Sequence, residues 1–258
     1  QPFIVGLTWE NRQIKAIKIS SNNNQKPVVW FNSAIHAREP GGVSVLLGFA
    51  HYLLKNYNKI PEITYLLDNR DIYIIPVTNP DGYVFNESYP SGLWRKNKRD
   101  NNNNGVFETT YDGVDLNRNF GYMWGCCNGS SPNPPAETYR GPYPFSEPES
   151  QAYRNFFNQV KPSIAVDIHT YSNLNLWPWG YTSTPTPDDT VYRAIAWRIF
   201  RYNAYRSFQA INLYVTDGTT DDWIYGATNE HPKALGWTFE VGENFYQPDT
   251  NIILEQVG

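Results

Sequence analysis

The stretch Val28-Val29-Trp30-Phe31-Asn32-Ser33-Ala34-Ile35-His36-Ala37-Arg38-Glu39-Pro40 decides how the chain is read. Its first four residues are β-branched or aromatic, the mark of a buried strand. The strand reading covers 28–35 and ends in a polar turn that presents His36, Arg38 and Glu39. An imidazole and a carboxylate three residues apart can grip one divalent cation, while the arginine between them points elsewhere. A strand running into such a turn predicts an α/β sheet with its chemistry at the strand ends.

The flanking sequence fits that frame. Further strands are predicted at 13–20, after which comes an Asn-rich turn at 21–25, and at 71–78, 163–169, 174–179 and 236–242. Residues 43–57 are too long for a strand and read as a mostly buried helix that includes His51. Residues 148–160 read as a helix with Glu147 and Glu149 at its positive end, and 188–206 as one opened by Asp188-Asp189. Asn79-Pro80-Asp81-Gly82 stops the strand at 71–78 as a strong turn. A polar, Gly- and Pro-rich region runs from about 86 to 147, and long irregular segments in compact domains are usually functional. His231 falls in a polar loop. Strands alternating with helices predict an α/β fold: a mixed, mostly parallel twisted sheet of about eight strands, helices on both faces, in one domain over 1–258.

Composition excludes several classes. Hydrophobic residues make up 40% and aromatics 16% of 258 residues, too many for a disordered chain. A net charge of −4, with Arg95-Lys96-Asn97-Lys98-Arg99 as the one basic run, argues against a nucleic-acid partner. No apolar run reaches the roughly 18 residues of a membrane span. Cys126 and Cys127 are adjacent, so they form a vicinal disulfide or stay free, and their spacing rules out a CxxC metal site. The sequons Asn86-Glu-Ser88 and Asn128-Gly-Ser130 point weakly to a secreted protein, although Gln1-Pro-Phe-Ile-Val carries no signal-peptide pattern.

Three predicted strand ends carry His36 with Glu39, His169, and Glu240. Two histidines, one carboxylate and an open position for water form the layout of catalytic zinc, so one Zn2+ is the expected cofactor. The motifs His36-Ala-Arg-Glu39, Thr78-Asn-Pro-Asp-Gly82, Leu93-Trp-Arg-Lys96, Val114-Asp-Leu-Asn-Arg-Asn119, Glu137-Thr-Tyr-Arg-Gly141, Ile168-His-Thr-Tyr-Ser172, Asp222-Trp223 and Thr238-Phe-Glu240 follow in that order. From about residue 6 to 255 the chain resembles the zinc metallocarboxypeptidases of the carboxypeptidase A/B type, and among them the secreted bacterial members.

The resemblance implies roles. His36, Glu39 and His169 would hold zinc, with Asp115 behind His36 to fix its tautomer. Glu240 would be the general base, with Glu243 as its local competitor. Arg95 would stabilise the oxyanion. Arg118 would clamp the substrate's terminal carboxylate beside Asn117, Tyr214 would close over the bound residue, and Arg38 would meet the substrate backbone. The residue before the Asp-Trp pair, Asp221, would reach the pocket for the departing side chain, with Leu176, Gly180 and Thr238 around it. An acid there favours C-terminal Lys or Arg. In the other reading Asp221 faces solvent and Thr219 or Thr220 lines the pocket.

Asp100-Asn-Asn-Asn-Asn-Gly105 with Glu108 resembles the start of a calcium loop, but its twelfth position is Tyr111, and a flexible polar loop is the competing reading. The bacterial relatives' calcium loops have no counterpart at 20–26. Set against the family, the resemblance implies a domain absent or shortened in its terminal elements at both ends, and a segment between Asp222 and Glu240 longer than in the pancreatic enzymes. The expected protein is a secreted, monomeric exopeptidase acting on peptide or protein C-termini. Its rivals are a deacylase on the same scaffold, a silent peptide-binding homologue, and an enzyme of broad or apolar preference.

Overall fold

The strands are β1 (Phe3–Leu7), β2 (Gln13–Ile19), β3 (Val28–Ser33), β4 (Asp71–Ile75), β5 (Ile164–His169), β6 (Leu174–Trp177), β7 (Arg206–Gln209) and β8 (Leu235–Glu240). The helices are α1 (Gly41–Asn56), α2 (Pro61–Asn69), α3 (Pro80–Ser88), α4 (Pro148–Val160), α5 (Asp189–Asn203) and α6 (Thr220–Gly226). The structure is a computed structural model describing residues 2–22 and 24–246. Residue 23 of the Asn-rich turn, and the resemblance beyond 246, lie outside those residues.

The strands form one sheet in the order β1-β2-β4-β3-β5-β8-β6-β7. Its centre, β4-β3-β5-β8, is parallel, and the edges are antiparallel except for β6 with β7. Alternation along β3 and β5 sends side chains to two separate cores. One face packs Val166, Ile168 and Trp237 under α1, α2 and α5. The other packs Trp30 and Ala165 under α4 and α6, where Phe157 and Trp223 are wholly buried. Each such side chain stabilises the fold by about 1.5–3 kcal/mol. A sheet buried on both faces explains the apolar runs in its parallel strands.

Several expectations change. The predicted strand at 71–78 ends at Ile75, and the turn after it opens helix α3. Asn79 caps that helix by accepting from the Gly82 amide at 3.1 Å, with Pro80 in the first turn. β1, α2, β7 and α6 are short elements that patterning alone did not separate from loops. His51 lies exposed on α1. His231 is buried, edge-on to Trp223 at 4.5 Å between ring centres. Among the described residues no helix is long and apolar enough to cross a membrane.

Candidate active site

β3 delivers the turn at 34–40 to the end of the sheet. Ala37 N–H donates to Arg95 O at 3.0 Å and Glu39 N–H to His36 O at 3.2 Å, which fixes the turn. β5 ends beside it on His169, and β8 ends one strand further on Glu240, in register with His169. His36, Glu39 and His169 are all buried, at 4%, 3% and 1% exposure. His36 Nδ1 lies 2.8 Å from Glu39 Oε1, His169 Nδ1 lies 2.9 Å from Glu39 Oε2, and the two Nδ1 atoms are 3.1 Å apart.

This trio fits a metal ion. Two imidazole nitrogens, Nδ1 of His36 and of His169, and the Glu39 carboxylate converge where one cation would take all three. Burial raises the Glu39 carboxyl, but the two histidines beside it hold it well below the usual carboxylate range. Burial alone would lower His169, yet Asp167 and Glu39 hold it well above the usual histidine range. Metal ligands bind deprotonated, so a cation at this trio would take the place of any proton shared among them.

Behind the rings stand two buried carboxylates. Asp115 Oδ1 lies 3.3 Å from His36 Nε2, and its Oδ2 accepts from Arg95 Nε and Nη2 at 3.0 and 2.8 Å. Despite its burial, Asp115 is held well below the usual range, chiefly by Arg95 and then His36. One carboxylate thus orients both a predicted ligand and the predicted oxyanion group. Asp167, two residues before His169, has no part in the sequence reading. Its only signal was the strand period that places it on the same face.

Glu240 lines the pocket beside His36 and His169. Burial pushes its carboxyl up to about 8, with His169 opposing and Glu39 adding to the rise. Arg118 lines the same pocket and is buried. Its Nε donates to Gly129 O at 2.9 Å and its Nη1 to Asn117 O at 2.7 Å. Asn117 is set by accepting from the Thr220 amide at 2.9 Å. Leu176, Thr238 and Tyr214 also line the pocket, Tyr214 from an exposed position at 53%.

Asp221 is buried and lines the pocket rather than facing solvent. Thr219 lines the pocket beside it, and Thr220 turns back to Asp167. Gly180 is not in the lining: it sits behind Thr216, donating its amide to Asp222. A methyl group at Gly180 would meet Thr216 Oγ1 at 2.0 Å, which explains the glycine. Ala210, Leu213 and Thr216 take the predicted place in the wall, and the sequence reading missed them because their loop carries no motif. Arg38 lies outside the pocket, donating to Glu137 Oε2 at 3.0 Å and resting on Phe245 at 5.0 Å.

At 100–105 the expected ligand oxygens of Asp100, Asn102 and Asn104 are taken up by hydrogen bonds within the loop. Asp100 Oδ2 accepts from Gly105 N–H at 2.7 Å, and the Asn102 and Asn104 oxygens accept from the Asn104 and Val106 amides. Glu108 accepts from the side-chain amides of Asn102 and Asn104. Among the described residues, His36, Glu39 and His169 form the one group of three or more metal-competent side chains, so the calcium expectation finds no support. The cysteines are joined as a vicinal disulfide. Asn86 is engaged with Trp94 through both amide atoms, unlike a free glycosylation acceptor.

A mixed sheet carries a buried His–Glu–His trio at its parallel strand ends, a donor set that suits one divalent cation. Residues 1–256 match the zinc carboxypeptidase family, and the chain belongs to it. Carboxypeptidase A1 of Mus musculus is 33% identical, over 96% of this chain and 60% of that protein. A zinc carboxypeptidase of Saccharothrix mutabilis subsp. capreolus is 35% identical, over 96% of this chain and 59% of its own. The chain therefore spans about 60% of the length of these relatives. Carboxypeptidase A from Helicoverpa armigera has the same fold at a TM-score of 0.86 and 26% identity, covering 99% of this chain and 64% of that one. The thrombin activatable fibrinolysis inhibitor superposes at 0.87 and 29% identity, covering 100% of this chain and 66% of that one.

Proposed function

We propose that the chain is a single catalytic domain that removes one residue at a time from peptide C-termini, with zinc at His36, Glu39 and His169, and that it prefers Lys or Arg. One observation carries this reading. A single pocket joins His36 and His169 of the metal trio to a buried cation, Arg118, and to a buried acid, Asp221. A buried guanidinium lining the pocket calls for a free carboxylate, which an internal peptide bond cannot supply.

When bound, zinc would lower the pKa of its water towards about 7 and polarise the scissile carbonyl. Glu240 takes the proton of the attacking water and returns it to the departing amine nitrogen. Arg95, anchored by Asp115, offers its guanidinium to the carbonyl oxygen as negative charge grows there. Arg118 and Asn117 hold the terminal carboxylate and set the distance from it to the scissile bond. Tyr214 covers the bound residue, and Arg38, with Glu137, meets the backbone upstream.

Preference rests on Asp221. No Lys or Arg pairs with it among the described residues, and burial raises its carboxyl. Burial also raises Asp222 well above its ordinary range, with Asp221 adding to that rise. A substrate cation would relieve this accumulation. A second reading has a specific basis: Leu176, Ala210 and Leu213 make the wall apolar, and a neutral Asp221 would admit a broad or apolar side chain. The disulfide is in keeping with a secreted protein, and we take the working unit to be a monomer.

The test is release of free amino acid from matched peptides ending in Arg, Leu and Glu by zinc-loaded protein. Faster release of Arg is expected. Equal or faster release of Leu would sink the basic preference, and binding without release would support the silent homologue.

A further inference from the structure

We propose that Asp167 is a positioning residue of the metal site: its carboxylate accepts the Nε2–H of His169 and so reserves Nδ1 for the cation. The inference deepens the zinc reading and rests on it. Asp167 is wholly buried and shares a face of β5 with His169, so the pleat brings its Oδ2 to 3.2 Å from His169 Nε2. His169 Nδ1 points the other way, towards Glu39 and His36.

The carboxylate is held on both sides. Asn32 Nδ2 donates to its Oδ1 at 2.6 Å, and the Thr220 hydroxyl donates to its Oδ2 at 2.9 Å. Asn32 is locked in turn, its Oδ1 accepting from Trp30 Nε1 at 2.9 Å and the Tyr153 hydroxyl at 3.1 Å. Among the described residues no Lys or Arg forms an ion pair with Asp167, and His169 alone does. A buried carboxylate needs a positive or donating partner, and the imidazole with a cation beyond it supplies one. Asn117 Nδ2 also approaches Nε2, at 3.5 Å. That contact is at the limit of a hydrogen bond, and the nearer charged acceptor decides the tautomer.

Asp167→Asn tests the assignment, because its amide sets a donor against Asn32 or against His169 whichever way it turns. In chelator competition its zinc affinity is expected to fall about 10- to 100-fold. Thr220→Val removes one anchor and keeps the carboxylate, and it should hold zinc within about threefold, well inside that loss. An equal loss in both variants would assign the effect to packing and overturn the proposal. Zinc binding by Asp167→Asn within about twofold of wild type, below the loss a supporting carboxylate carries, overturns it too. Wild type that binds no zinc defeats the metal reading itself, a separable outcome. Should Asp167→Asn not fold, the zinc-loaded wild type still decides. Its His169 Nε2–H is expected as a far-downfield proton resonance protected from exchange, and a proton on Nδ1 instead refutes the assignment.

Discussion

The two ends of the pocket are built in different ways. At the metal end, His36 and Glu39 follow β3, while His169 and Glu240 terminate β5 and β8, three adjacent parallel strands. The ladder fixes their spacing. At the recognition end, Asn117 and Arg118 stand on one 3-10 turn, Asp221 on the seven-residue α6, and Tyr214 on an exposed loop. Individual bonds hold that end: Arg118 to Gly129 O, Thr220 N–H to Asn117, and the amides of Cys127 and Gly129 to Asp217. A ladder distributes strain over many bonds, so the metal end should be stiff. The recognition end should change preference with single substitutions.

The largest effect expected is at the stiff end. Glu240→Gln should lower kcat by about 100- to 10,000-fold, the range for a positioned acid–base group, while zinc content stays at the wild-type level. A variant that loses its zinc would show instead that the strand end had moved. At the other end, Asp221→Ile should shift the ratio of kcat/KM for Arg over Leu substrates by on the order of a hundredfold, as loss of one partner of a buried charge pair does. Total activity on Leu should survive, because the ladder is untouched. An unchanged ratio would mean the acid does not face the departing side chain. Arg118→Met should cost about ten- to a hundredfold in kcat/KM, the scale of a charge-assisted bond, and should narrow the gap between free and amidated C-termini. Equal loss on both substrates would assign Arg118 to holding Gly129 rather than the carboxylate.

The same contrast governs what could be read from the sequence. β3 and β5 announce themselves by apolar runs, because a strand buried on both faces cannot hide its composition. β8 is read from Gly236-Trp-Thr-Phe-Glu-Val-Gly242 for the same reason. Their ends carry His36, His169 and Glu240, and the parallel order β3-β5-β8 brings those ends together. Arg118 and Asp221 have no such local signal. They were singled out by motifs, and their meeting depends on tertiary bonds such as Thr220 to Asn117 across 103 positions. Ala210, Leu213 and Thr216 carry neither signal and were missed. Gly180 was placed one layer too near the substrate, because a glycine required by Thr216 behind it looks the same in sequence as one required by a ligand. The turn residues Asn79-Pro80-Asp81-Gly82 misled in another way, since Asn79 with Pro80 both stops a strand and starts a helix.

The smallest effect on the reaction is expected beneath the metal end, where Asn97 donates through Nδ2 to both Glu147 and Glu149 at 2.8 and 3.2 Å. Asn97 also accepts from the Val114 amide at 2.8 Å, so it ties the segment bearing Arg95 to the one bearing Asp115. Glu147 is paired with Arg99, but Glu149 has a buried oxygen, Oε1, without a partner. Burial, then Glu147, pushes the Glu149 carboxyl up to about 8 from an ordinary 4.5. The folded protein keeps that proton while the unfolded chain releases it. Between about pH 4.5 and 8 the unfolded state binds fewer protons, so this group makes stability fall as pH rises, and the loss levels off above about 8. Glu149→Gln keeps an acceptor for Asn97 and cannot ionise. At pH 5 the variant and wild type should unfold at similar urea concentrations. At pH 9 the variant should be more stable by about 1–3 kcal/mol, the cost of a buried polar group left uncompensated. Parallel stability curves at the two pH values would show that Glu149 ionises normally, and that the support under Arg95 is looser than the ladder beside it.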